Sequence, residues 1–179
     1  FDGPVDHLWA MPVLVDYVRS RVDLSNVCMV SPDAGRIRVA EKWSAKLGGC
    51  PLAFVHKTRD TTRPNVAVAN RVVGDVAGKQ CVMVDDMIDT AGTISEAVKV
   101  VMNAGASSVI VAATHGILSD PAAQRLSECG AQEVIVTDTL PIALEKRFDN
   151  LTILPIAPLL ARAIREVFDD GSVTSLFDG

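Results

Sequence analysis

Apolar residues recur along this chain at two spacings, and their alternation predicts buried strands interleaved with amphipathic helices. Over residues 7–22, Leu8, Met11, Val15 and Val18 fall near helical spacing, which predicts an opening helix over one sheet face, with Pro12 near its start. A strand over 27–30, a turn over 31–35 and a helix over 36–47 follow. That helix carries Ile37, Ala40, Trp43 and Leu47 on its inner stripe and is stopped by Gly48 and Gly49. The next strand covers 52–57 and runs into a polar stretch, 58–65, which reads as a mobile loop or excursion. Beyond 72–78, a strand over 81–85 enters a Gly/Thr-rich turn, then a helix with Ile94, Ala97, Val98, Val101 and Met102 in register up to Gly105. Strand 108–113, loop 114–120, helix 121–128, strands 133–137 and 151–155 and helix 158–168 complete the pattern, with Pro121 and Pro158 as first-turn prolines. Repeated strand–helix units require right-handed crossovers, so the pattern predicts an α/β fold: a doubly wound, mostly parallel sheet flanked by helices, in a single domain over 1–179. Ligands of such sheets bind at the carboxyl ends of strands near a topological switch point, where the turn 31–35 and the stretch 85–93 both fall.

Candidate chemistry concentrates in Val82-Met83-Val84-Asp85-Asp86-Met87-Ile88-Asp89-Thr90-Ala91-Gly92-Thr93-Ile94, an apolar strand that ends in an acidic pair, a turn and a helix start. The turn formed by Asp89, Thr90, Ala91, Gly92 and Thr93 can aim backbone N–H groups and two hydroxyls at one point before a helix, where the dipole also favours an anion. Carboxylates at Asp85 and Asp86 would repel a phosphate, so they are expected to face ribose hydroxyls or a divalent cation. Diol plus phosphate points to a phosphorylated ribose. The plainer alternative is that the acids only cap the following helix, which Asp89 or Thr90 could do alone.

Composition narrows the class. Hydrophobic residues make up 49% of the 179 and aromatics 4%, which predicts a core of Val, Ile, Leu and Ala suited to a parallel sheet covered on both faces. A net charge of −5 and a pI near 5.1 exclude a general nucleic-acid binder, which needs a basic footprint. Four cysteines without CxxC spacing read as core residues in a reducing compartment. No apolar run approaches the roughly 20 residues of a membrane span and no secretory signal is present, so a cytoplasmic location is expected. The chain opens on Phe1-Asp2-Gly3-Pro4, which reads as a linker or module start with an N-terminal portion missing.

Several segments in order resemble one family, the ribose-phosphate pyrophosphokinases or PRPP synthetases, in their C-terminal half. They are Phe1 to Asp6, Val30-Ser31-Pro32-Asp33-Ala34-Gly35, Lys57-Thr58-Arg59, the acidic motif, Ala113-Thr114-His115-Gly116, and Ser172 to Phe177. The motif itself is similar to the phosphoribosyl-pyrophosphate (PRPP) signature of type I phosphoribosyltransferases and PRPP synthetases. The resemblance implies a single type I phosphoribosyltransferase-like domain that forms the C-terminal half of a two-domain enzyme, the N-terminal half being absent. It further implies transfer of the diphosphoryl group of MgATP to the anomeric hydroxyl of ribose 5-phosphate, giving PRPP and AMP. Mg²⁺ would be the cofactor, ATP, ribose 5-phosphate and PRPP the ligands, and a homo-oligomer the full-length form, with neither nucleic acid nor membrane as partner.

Carried over by position, Asp89, Thr90, Ala91, Gly92 and Thr93 would hold the 5-phosphate, and Asp85 and Asp86 would face the ribose hydroxyls and the metal-linked diphosphate. Asp33 resembles the position that helps place Mg²⁺, with an ordinary helix N-cap as its alternative. The family often has two glycines where this chain has Gly35-Arg36. Lys57 and Arg59 resemble the Lys-x-Arg pair that opens a catalytic flexible loop. Ser172, Thr174 and Phe177 resemble a segment that contributes to an effector site, with a plain edge strand as the alternative. His115 reads as a structural histidine satisfied by backbone, or else as a group near the ligand. The PRPP motif alone also admits a phosphoribosyltransferase, and a non-catalytic PRPP-binding homologue stands as a third reading.

Overall fold

The computed structural model describes residues 2–3, 5–58 and 69–176. Seven strands, β1 (Val27–Ser31), β2 (Leu52–Thr58), β3 (Ala69–Val73), β4 (Gln80–Ile88), β5 (Ser108–Gly116), β6 (Glu133–Thr137) and β7 (Leu151–Leu154), form one sheet in the order β3-β2-β1-β4-β5-β6-β7. All neighbours run parallel except β2 and β3, so the predicted class holds, with an antiparallel strand at one edge.

The strands are buried on both faces, which is why they read as apolar runs rather than alternations. Cys28, Val30, Cys81, Met83, Val109, Val111, Val134 and Val136 face one layer, into which α3 (Gly92–Asn103) and α4 (Ala122–Glu128) pack Ile94, Val98, Val101 and Leu126. Met29, Val82, Val84, Ile110 and Ile135 face the other. There α1 (Met11–Arg19) and α2 (Ile37–Lys46) contribute Leu14, Val15, Val18 and Trp43. A smaller cluster joins Leu159 and Ala163 of α5 (Ala157–Phe168) to Leu176.

Several boundaries differ from the sequence expectation. The opening helix begins at Met11 rather than residue 7, because Pro12 occupies its first turn, where a missing N–H costs nothing. β3 was not foreseen. Its five residues include only two large apolar side chains, as expected of an edge strand, and Gly74 ends it where a Cβ would come within 2.8 Å of Ala53. β4 continues past the acidic pair to Ile88, and β5 extends to Gly116 through residues expected to be loop. The segment Val173–Leu176 is a 3-10 helix packed on α5, not an edge strand. From residue 59, the polar stretch expected as a loop lies outside the described residues.

Candidate sugar-phosphate site

The sheet order changes direction between β1 and β4: the chain builds leftward through β2 and β3, then returns to β4 and builds rightward. In open α/β sheets such a reversal places a crevice beyond the carboxyl ends of both strands. Val30 pairs with Met83, so Asp33 and Asp86, each three residues further on, stand level on its two lips.

On the β1 lip, Asp33 is extended and its Oδ1 accepts the Gly35 N–H at 2.8 Å, capping a single 3-10 turn, Ala34–Arg36. The Ser31 hydroxyl donates to the Asp33 carbonyl at 2.5 Å and ties the turn back to the strand. The capping alternative for Asp33 is thus realised through one carboxylate oxygen.

On the β4 lip, strand alternation would point Asp85 and Asp86 to opposite faces, yet one guanidinium reaches both. Arg36, projecting from the β1 lip, places Nε 3.3 Å from Asp85 Oδ1 and Nη2 2.7 Å from Asp86 Oδ1. Each carboxylate also accepts the next residue's N–H, Asp86 to Asp85 and Met87 to Asp86, both at 2.9 Å. Burial and the adjacent Asp86 push the Asp85 carboxyl up to about 6. Burial alone would also raise Asp86, but its hydrogen bonds from Asp85 and Arg36 outweigh that and hold it below the usual carboxylate range. The pair therefore splits into an acid that titrates near neutrality and one that stays ionised.

The turn after β4 presents backbone rather than side chains. Ala91 adopts a left-handed conformation with φ of 59°, and α3 starts behind it with no side-chain cap. The first helical bond runs from the Ser95 N–H to the Ala91 carbonyl, leaving the N–H groups of Gly92, Thr93 and Ile94 ahead of it. Neither Asp89 nor Thr90 caps the helix, as the plainer reading of the motif allowed either of them to do. Arg125 of α4 donates to the Thr90 carbonyl at 2.9 Å and so holds the turn from behind. Asp89, Thr90 and Thr93 are exposed.

Asp85 and Asp86 also line a cleft of about 930 Å³ together with Trp43, Thr114, His115 and Asp138. Trp9 lies on its wall, with the Lys42 ammonium 4.2 Å from the ring centre. His115 is fixed by a side chain rather than by backbone: its Nδ1 is 2.8 Å from the Thr139 hydroxyl, and Thr137 and Thr139 both donate to the Thr114 carbonyl. The turn 89–93 is not part of this cleft lining.

Other expected site residues lie apart or undescribed. Lys57 belongs to β2, with its backbone paired to Asn70 and with β1 between it and β4. Arg59 and Phe177 lie outside the described residues. Thr174 donates its backbone N–H to the Ser172 hydroxyl at 3.3 Å, at the start of the 3-10 turn against α5. Among the described residues no three His, Cys, Asp or Glu side chains cluster as ligands for a metal, and no helix is long and apolar enough to cross a membrane. Sequence reasoning missed Arg36 and Arg125 as site residues. For Arg36 the only signal was a basic residue where a second glycine was expected. For Arg125 there was none.

Against known proteins, residues 49–178 match the profile of the phosphoribosyl synthetase-associated domain. A ribose-phosphate pyrophosphokinase from Bifidobacterium longum is 72% identical over 99% of this chain and 53% of its own length. The crystal structure of phosphoribosylpyrophosphate synthetase from Mycobacterium smegmatis superimposes with a TM-score of 0.85 at 59% identity, over 96% of this chain and 54% of that one. The orotate phosphoribosyltransferase of Aeropyrum pernix shares the fold, with a TM-score of 0.52 at 17% identity over 85% of this chain and 75% of its own. The chain spans about half the length of the curated relatives it matches.

Proposed function

The chain belongs to the phosphoribosyl synthetase-associated family, and from that premise we propose that it is the C-terminal half of a cytoplasmic ribose-phosphate pyrophosphokinase. The reaction moves the β,γ-diphosphoryl group of MgATP onto the anomeric hydroxyl of ribose 5-phosphate, releasing AMP. The observation that carries this reading is the uncapped start of α3 directly behind an acidic pair at the switch point of the sheet.

Each element has a part in it. The N–H groups of Gly92, Thr93 and Ile94, with the hydroxyls of Thr90 and Thr93, take the 5-phosphate at a helix N-terminus, and Asp89 closes the same turn. Asp85 and Asp86 accept hydrogen bonds from the ribose hydroxyls, a task for carboxylates and one that fixes the anomeric oxygen toward the crevice. Asp33, on the opposite lip, offers a hard oxygen to a cation. The donor set fits Mg²⁺, which prefers one or two carboxylates completed by water and substrate phosphates over an all-protein cage. Bound there, the ion would neutralise charge on the diphosphate. Lys57 and Arg59 supply positive charge over the diphosphoryl group as it transfers, lowering the barrier without a covalent intermediate. The remaining half of the enzyme completes the ATP site and the oligomer, and Ser172, Thr174 and Phe177 serve an effector site.

Calorimetric titration of the chain with ribose 5-phosphate and with PRPP, each with and without Mg²⁺, tests the assignment. Saturable binding of both, with PRPP favoured by Mg²⁺, is expected, together with AMP release only when an N-terminal half like that of the relatives is supplied. A folded chain that binds neither sugar phosphate overturns the reading.

A further inference from the structure

Resting on that reading, we infer that Arg36 is the resident counter-ion of the acid pair, and that ribose 5-phosphate must displace its guanidinium before Asp85 and Asp86 serve the sugar. The side chain starts on the β1 lip and ends on both carboxylates of the β4 lip, the groups that the proposed function assigns to the sugar hydroxyls. Adjacent carboxylates without a counter-charge repel each other, and among the described residues Arg36 is the basic side chain bonded to them. It occupies the same Oδ1 atoms that the backbone N–H groups orient, so it holds both carboxylates in one fixed arrangement. The contacts are exchangeable, with side-chain exposures of 38% for Arg36, 21% for Asp85 and 48% for Asp86. Partly solvated ion pairs of this kind are weak enough for a ligand to replace. A second glycine at this position could not bridge the lips at all. The arginine therefore orders the acid pair and makes sugar entry a competition.

This role differs in sign from the other roles Arg36 could have. A residue that touches the bound sugar phosphate loses affinity when removed, a purely structural one leaves affinity unchanged, and a competitor gains it. Titrating the chain and its Arg36→Ala and Arg36→Lys variants with ribose 5-phosphate in Mg²⁺ separates them, with 2-deoxyribose 5-phosphate as a probe lacking one hydroxyl. Arg36→Ala should bind ribose 5-phosphate about two- to fivefold tighter, the size of a partly exposed ion pair. The gain should shrink for the deoxy sugar, and Arg36→Lys should fall between the two. Arg36→Gln replaces Arg36→Ala if thermal melting shows the latter to be unfolded. Equal or weaker affinity in the neutral variant overturns the inference and leaves the functional reading intact. Failure of every variant and the parent chain to bind overturns both.

Discussion

Asp85 is the residue on which the electrostatics of the site turn. Its carboxyl is pushed up to about 6 by burial and by Asp86, so the folded chain keeps that proton where an unfolded chain has released it. The sign follows: between about pH 4 and 6 stability falls as the pH rises, and above 6 the buried charge is a standing cost. Asp85→Asn is expected to raise Tm at pH 7 to 8, by the equivalent of about 1 kcal/mol after allowing for partial solvation, and to leave it unchanged near pH 4. Carboxyl NMR titration of the parent chain should place Asp85 near 6 and Asp86 below the ordinary range. A midpoint near 4 for Asp85 would remove the argument. Little of this was legible in the sequence. The acids were visible as chemistry, but the arginine that pairs them lies 50 positions away from Asp86, and no local pattern marks a contact of that span. The same holds for Arg125 and Thr90, 35 positions apart. His115 was read as a structural histidine satisfied by backbone or else as a group near the ligand, and only the fold brings Thr139 to it.

The elements were more legible than their ends. α3 and β6 follow the periodicity to within a residue or two, because their apolar positions face a core that nothing else disturbs. β4 was cut short in expectation because an acidic pair looks like a strand terminus. The strand runs on because parallel pairing with β5 extends to Ile88 and Gly116. The opposite pole of the sheet shows how elements are tied together. Glu133 opens β6 and is 5% exposed, and its carboxylate accepts from the Tyr17 hydroxyl at 2.7 Å, the Thr152 hydroxyl at 2.6 Å and Arg21 at 3.1 Å. Burial alone would raise its pKa, but those three partners outweigh burial and lower it. Its contribution is therefore present above the ordinary glutamate range and lost only as the pH falls through the lowered value. Glu133→Ala breaks a clasp joining α1, β6 and β7 and should cost about 2–3 kcal/mol in denaturant unfolding, while ribose 5-phosphate affinity at the far end of the strands stays unchanged. A loss of affinity without loss of stability would contradict that separation.

For the molecule as a whole, alternating strands and helices were enough to predict a doubly wound sheet, because a strand buried on both faces has few other places to go. They did not predict the strand order, which depends on β3 turning back along β2 and so leaving β1 and β4 to meet at the crevice. Nor did they predict that α5 would bury only Leu159 and Ala163 while Ile164, Val167 and Phe168 stay 67% exposed or more. The four cysteines lie inside the same layers, from Cys28 at 0% to Cys50 at 9% exposure, and Cys28 stands directly opposite Cys81 across the β1–β4 seam. A bulky alkylating reagent thus finds no thiol until the protein opens, which turns the cysteines into an internal clock read by mass. Intact chain should stay unlabelled over hours and acquire four adducts together in denaturant. A species carrying adducts at Cys28 and Cys81 alone would mean that the sheet parts first along the seam that forms the crevice.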